Sequence, residues 1–301
     1  MSLSIVGSVA FDTLFTPEGT REKILGGSAV YSAIAASNFM SPAIIGVVGK
    51  DFHDEKLAIL SKRNINIEDI QIAEGNTFHW TGSYLEDINS AKTINTEVGV
   101  LGSFKPRFSD TNAKSKILFL ANNDPEAQME AIRQSQSKLI AMDTMNLWIN
   151  IKKEQLMEVV AASQIVFIND EELKMLTGGY NLISAAKNLM KLVSSVKYLV
   201  LKKGEHGSAI FGRDEREYFT IGAYPLDVVK DPTGAGDSFA GSFLGYLADK
   251  EICWENLKEA LIMGAVTSSF TVQEFGPDKL LGVTIYDIEQ RKEQLKKYLA
   301  L

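Results

Sequence analysis

Hydrophobic residues in this chain follow two rhythms that alternate along most of its length. Leu3–Val9, Ala43–Val48, Ile117–Ala121, Leu139–Met142, Ile165–Ile168 and Tyr198–Leu201 are short apolar runs, which read as buried strands. Stretches near 125–135, 152–162 and 182–194 separate the later runs with helical spacing, and Ser28–Met40 and Phe52–Lys62 do so earlier. This alternation predicts a mostly parallel sheet covered by helices on both faces. A hairpin is expected over 207–222, and helices over 235–249, 255–271 and 285–299. Two stretches break the rhythm. Phe11–Phe15 and Glu22–Leu25 flank a Pro17–Gly19 turn and read as a hairpin. Within 76–101, Phe78, Trp80 and Tyr84 alternate with Thr77, His79, Thr81 and Ser83, the period of a sheet with one aromatic face. Segments 11–25 and 76–101 thus predict a small β-sheet lid. Core elements interrupt it and it could not fold alone, so one domain over residues 1–301 is expected.

Composition narrows the possibilities. The chain is 45% hydrophobic and 23% charged with a net charge of −7, ordinary for a globular protein and unsuited to a nucleic-acid backbone partner. A single cysteine, Cys253, rules out an internal disulfide and fits a reducing cytoplasm. His53, His79 and His206 are scattered, without the ligand spacing of a structural zinc site. No apolar run reaches membrane-spanning length, and no charged region precedes the first one. Neither signal peptide nor anchor is expected.

The densest chemistry lies in 231–243, Asp-Pro-Thr-Gly-Ala-Gly-Asp-Ser-Phe-Ala-Gly-Ser-Phe. Asp231, Pro232 and Thr233 make a turn. Gly234, Ala235 and Gly236 open a helix whose apolar positions Phe239, Phe243, Leu244 and Leu247 recur at helical spacing. The first amides of a helix lack intrahelical acceptors, and with the helix dipole they form a site for a phosphate or developing oxyanion. Asp237 sits in that first turn as a proton acceptor. Anion stabilisation beside a base is what moving a phosphoryl group onto an alcohol requires. An acid that merely complements the dipole is the competing account. The Walker pattern is absent, and Gly234-Ala235-Gly236 lacks the third Rossmann glycine.

This segment resembles the C-terminal signature of the ribokinase (PfkB) family of carbohydrate and nucleoside kinases. The resemblance implies a ribokinase-like three-layer α/β/α core with a lid, glycines framing an anion hole, and Asp237 as catalytic base. Further features match in order along nearly the whole chain. Gly26-Gly27 resembles the hinge between lid and core, and Val9-Ala10-Phe11-Asp12 the strand end whose aspartate holds substrate hydroxyls. Asn169-Asp170-Glu171-Glu172 matches an Asn-x-x-Glu motif associated with magnesium and the ATP phosphates, through Asn169 and Glu172. The same residues imitate a helix capping box. Lys202-Lys203-Gly204-Glu205-His206-Gly207 follows another core strand and resembles the nucleotide-side loop, with Lys203 supplying charge and Gly204 allowing close backbone approach. A plain hairpin turn competes there. Asp231 and Thr233 resemble positions around a monovalent cation, usually potassium.

The acceptor stays open between sugar and nucleoside. Many sugar kinases place an asparagine after the di-glycine where this chain has Tyr31. Phe78, Trp80 and Tyr84 could stack on a base, fill the lid core, or form a homodimer seam. The expected activity is ATP- and magnesium-dependent phosphorylation of an alcohol on a sugar, sugar derivative or nucleoside. A nucleotide-sensing binding protein on the same fold and a vitamin-precursor kinase of the superfamily are the alternatives. The retained base argues against the first, and the lid-like segments against the second.

Overall fold

A computed structural model of the chain describes residues 2–214 and 216–299. The strands are β1 (Leu3–Val6), β2 (Ala10–Thr16), β3 (Gly19–Gly26), β4 (Ala43–Gly49), β5 (Ile70–Ala73), β6 (Phe78–Ser83), β7 (Lys92–Glu97), β8 (Ile117–Leu120), β9 (Leu139–Met142), β10 (Ile165–Asn169), β11 (Tyr198–Lys202), β12 (Ser208–Gly212) and β13 (Tyr218–Ile221). One nine-stranded sheet runs β13-β12-β11-β10-β9-β8-β1-β4-β5, and a four-stranded sheet runs β3-β2-β6-β7. Neighbours from β11 to β5 pair parallel, while β12 and β13 add antiparallel.

Strand residues alternate between the two faces, as a period of two requires. Leu3, Ile5, Ile117, Phe119, Ile165, Phe167 and Val200 belong to one core, with residues of the helices Ser28–Ala36, Ala235–Leu247, Trp254–Thr271 and Ile285–Tyr298. Val6, Leu118, Leu120, Val166, Ile168, Leu199 and Leu201 belong to the other, with the helices Pro125–Gln134, Lys153–Ala162, Asp170–Thr177 and Leu182–Leu192. This is the three-layer arrangement expected, and the second sheet matches the lid segments. Among the described residues no helix is long and apolar enough to cross a membrane.

Some boundaries differ from expectation. The first strand stops at Val6, and the chain passes through Gly7–Val9 into the lid at Ala10. Strand β5, Ile-Gln-Ile-Ala, lies at the sheet edge with half-exposed residues, so it has no apolar run to betray it. The short helices Asn146–Ile151 and Asp278–Leu281 were not foreseen either. Each spans only one or two turns, too few for a periodic signal.

Two contacts fix the helix Ala235–Leu247. Phe243 meets Phe167 edge to face, with centroids 5.2 Å apart and planes at 89°, a favoured aromatic geometry. On its other side a Cβ at Gly241 would strike the Ser32 backbone, so glycine there brings the helix against Ser28–Ala36. Ser32 Oγ also donates to the Asp237 carbonyl at 3.1 Å. The N-terminal turn is therefore held from below before any ligand arrives.

Candidate active site

At the start of this helix Gly234 is left-handed, with φ 75°, and the Tyr31 ring occupies the space a Cβ would need. The Ala235 amide donates to the Pro232 carbonyl at 3.2 Å. The amide of Ala235, expected beside the anion hole, thus also takes part in the turn. Among the described residues the amides of Gly234, Gly236 and Asp237 meet no acceptor. Asp237 beside them has its pKa pushed up to about 7, chiefly by burial and further by Asp143, with Lys202 opposing.

Asp231 anchors the preceding turn. Its Oδ1 accepts from the Thr233 amide at 2.9 Å and its Oδ2 from the Gly276 amide at 2.8 Å. This fully buried carboxylate thus ties the turn to the 272–276 loop. Thr233 Oγ1 in turn bonds Tyr84 Oη of the lid hairpin at 3.1 Å.

A second wall of the cleft is built from β2 and the di-glycine. Asp12 is buried on β2, and its carboxylate lies where a Cβ on Gly26 would be. Gly27 has φ 104°, and a Cβ there would strike the Ser8 carbonyl. Both glycines are required, one by the carboxylate and one by the bend. Burial, with Asp231 and Asp237 nearby, pushes the Asp12 pKa to about 8. Tyr31 is 1% exposed, and its hydroxyl has no hydrogen-bond partner. Burial and the same acids hold it in the neutral form.

Strand register settles which way the lid aromatics look. Asp12 is level with Trp80 in the parallel β2–β6 pair, so Phe78, Trp80 and Tyr84 share the face of Asp12. Thr13 Oγ1 and His79 Nε2 bond each other at 2.9 Å on the opposite face. That face also carries Thr81, Asn95 and Glu97, and at its end toward the core the buried Phe11 and Leu25. The Trp80 ring lies over Gly82, where a Cβ would overlap it, and its Nε1 donates to Thr93 Oγ1 at 3.1 Å.

At the end of β10, Asn169 and Glu172 form a capping box. Asn169 Oδ1 accepts from the Glu172 amide at 2.8 Å, and Glu172 Oε2 accepts from the Asn169 amide at 2.9 Å. Burial is the main reason the Glu172 pKa rises to about 7; Lys202 opposes, and Asp143 and Asp237 add to it. Gly204–His206 forms a single 3-10 turn between Lys203 and Gly207. Between β6 and β7, Asn89 Nδ2 donates to Glu205 Oε1 at 3.2 Å, so the lid and the 203–207 loop touch. Lys203 Nζ lies 3.5 Å from Thr220 Oγ1 on β13.

The pfkB family carbohydrate kinase model matches residues 3–281. The chain belongs to this family. It is a kinase with an alcohol group as acceptor, of the sugar and nucleoside kinase kind. A cytidine kinase of Thermococcus kodakarensis is 32% identical over 254 residues, 82% of this chain and 88% of that protein. A putative ribokinase II from E. coli, solved with ATP and Mg2+, superposes with a TM-score of 0.80 at 16% identity, covering 97% of this chain and 99% of that one. The nucleoside kinase of Burkholderia thailandensis in complex with inosine gives 0.78 at 19% identity, covering 98% of each chain. The fold is thus that of the ribokinase family.

Sequence reasoning missed two members of the site, Asp143 and Lys202. Lys202 Nζ lies 2.5 Å from Asp143 Oδ2, with side chains 17% and 2% exposed. Asp143 Oδ1 accepts from the Thr144 amide at 2.9 Å. Strand parity could have found the lysine. Lys202 shares its face of β11 with Val200, in the core of the helix Ala235–Leu247, whereas Lys203 follows Leu201 onto the other face.

Proposed function

We propose that this kinase phosphorylates a hydroxyl on the ribose of a nucleoside, with ATP and magnesium as donor. The observation that carries the nucleoside is Trp80, an indole on the face of the lid that Asp12 shares. An aromatic plane above the diol-binding carboxylate suits a base attached to a ribose. The similarity to a cytidine kinase and to an inosine-bound nucleoside kinase supports the same acceptor.

The chemistry follows from the geometry. Asp12, nearly neutral at pH 7, can both donate to and accept from the acceptor's hydroxyls. Asp237 accepts the proton of the attacking hydroxyl. With a pKa near 7 it is still far below an alcohol, so the proton moves as the O–P bond forms. Positioning and electrostatics then carry most of the rate. The amides of Gly236 and Asp237 face the charge on the transferring phosphate. Tyr84, bonded to Thr233, and Asn89, bonded to Glu205, close the lid over both substrates and exclude water.

Magnesium fits the donor side. Asp143 pairs with one ammonium, Lys202, and Glu172 and Asp237 act on the same charge from nearby, leaving excess negative charge for a hard dication. Among the described residues no three such groups converge as direct metal ligands. Glu172 and Asn169 would therefore act through waters, and the ion would supply charge neutralisation on the ATP phosphates. A potassium site beside Asp231 and Thr233 is supported by family resemblance, and there the ion would stiffen the turn that feeds the amides. The single cysteine fits a cytoplasmic protein. A homodimer formed through the lid would use the exposed edge strand β7.

A panel of nucleosides and free sugars, scored by ATP consumption, tests the acceptor. The proposal expects at least one nucleoside to exceed every sugar in kcat/KM. A free sugar as best substrate overturns it.

A further inference from the structure

The ion pair Lys202–Asp143 joins the ends of two parallel strands beside the anion site, and neither partner has a task in the fold that needs a charge. Asp143 follows β9 and Lys202 ends β11, with Asn169 and its capping box between them at the end of β10. The lysine is also close to the first helical turn. A Cβ built on Gly236 would lie 3.1 Å from Lys202 Nζ, so glycine at 236 leaves room for an ammonium as well as exposing an amide. Burial lowers the lysine's affinity for its proton, but Asp143, Glu172 and Asp237 together outweigh it. The group therefore stays cationic.

We propose that Lys202 is a catalytic residue that donates hydrogen bonds to the transferring phosphoryl group, and that Asp143 is a positioning residue that holds its ammonium beside the Gly236 and Asp237 amides until the donor binds. A cation and two free amides then face the same oxygens from two sides. During transfer the acceptor oxygen forms its bond to the γ-phosphorus while the bond from phosphorus to the ADP oxygen breaks. The breaking pair leaves on ADP, and the acceptor's proton goes to Asp237. Lys202 keeps its proton throughout. The inference rests on phosphoryl transfer from ATP at this site and not on which acceptor is used.

The test separates binding from turnover. Magnesium complexes of ADP and of the non-hydrolysable ATP analogue AMPPNP are titrated calorimetrically into wild type, Lys202→Met, Asp143→Asn and the Lys202→Met/Asp143→Asn double variant. In Lys202→Met, AMPPNP affinity should fall tenfold or more and ADP affinity less than threefold. Turnover with the best acceptor should fall about 10²–10³, as for loss of one oxyanion donor. Asp143→Asn keeps the ammonium and should keep the preference for AMPPNP. Should the single lysine variant fail to fold because Asp143 is left buried and unpaired, the double variant carries the test, since it removes both charges. The double variant should remain as slow as Lys202→Met. Recovery of turnover to within threefold of wild type in the double variant would make the pair structural and overturn the proposal. So would equal losses of ADP and AMPPNP affinity, or an Asp143→Asn variant that loses the AMPPNP preference as fully as Lys202→Met. The binding arm reads Lys202 even if every acceptor in the panel is refused, which would instead count against the proposed acceptor.

Discussion

Replacing Asp237 with asparagine should slow the enzyme and at the same time stabilise it, with both effects governed by pH. The Asp237 carboxyl is raised from 3.8 to about 7, first by burial, then by Asp143, against the pull of Lys202. A folded-state pKa above the unfolded one means the native protein binds the extra proton between those values. Its stabilising contribution is fully present below pH 4 and is lost as pH rises through 7. At about 1.4 kcal/mol per unit, the ionised carboxylate costs the free enzyme at most about 4 kcal/mol at pH 8. The true figure is smaller, because the cleft admits some water to it. Asparagine removes that cost. Asp237→Asn should therefore melt several degrees higher than wild type at pH 8 and higher by only about a quarter of that margin at pH 4.5. Turnover at pH 8 should drop about 10²–10⁴, the range for a lost general base. In the wild type, kcat/KM for the acceptor should fall with unit slope below pH 7, since about a tenth of the carboxylate remains ionised one unit lower. The part of the acid limb that Asp237 contributes should be absent in the variant, leaving only what Glu172 and Asp12 add. Two scans decide the matter, differential scanning calorimetry at both pH values and a pH–rate profile at saturating ATP and fixed free magnesium. A flat wild-type profile from pH 5 to 8, or a variant that melts no higher at pH 8 than wild type, would refute the reasoning.

Three further outcomes follow from the same geometry. Glu172→Gln should raise the magnesium concentration needed for half-maximal rate and lower turnover with little change in acceptor KM; a variant that only melts earlier would assign Glu172 to its capping box alone. Trp80→Ala should weaken nucleoside binding by about 1–3 kcal/mol and leave ATP affinity unchanged, and equal acceptor affinity by calorimetry would remove the indole from the acceptor site. Potassium should raise turnover above that in a buffer free of sodium and potassium, while equal rates in the two buffers would show the Asp231 clamp to be sufficient without an ion.

The fold was legible because its core strands are continuous apolar runs and its helices carry a separate period. Strand β5 escaped because an edge strand can mix Ile with Gln and still pair. The lid posed a different difficulty. A period of two showed that Phe78, Trp80 and Tyr84 share a face, but no local rule says which face of a sheet looks inward. Parallel pairing of β2 with β6 answers that, and it joins residues far apart in sequence. The glycines were easier. Gly26, Gly27, Gly234 and Gly236 stood out as positions where bulk is excluded, and each excludes it for a neighbour that only the tertiary structure names: Asp12, the Ser8 carbonyl, Tyr31 and Lys202.

The charges of the site show why one lysine was preferred over its neighbour. Lys203 precedes the loop glycine, and its position in that motif suggests a charge near the nucleotide. Position in a strand singles out Lys202. A residue at the carboxyl end of a parallel strand faces the crevice where ligands of open α/β sheets bind. Asp143 follows β9, Asn169 ends β10 and Lys202 ends β11, and these three strands are neighbours. The apolar runs before each residue were visible without coordinates, as was the parity that puts Lys202 with Val200. What could not be seen was the order of the strands across the sheet, which places Asp143 within reach of Lys202 over an intervening strand. Identifying a buried ion pair of this kind thus requires topology, and once the topology is known the choice between two adjacent lysines reduces to counting residues along a strand.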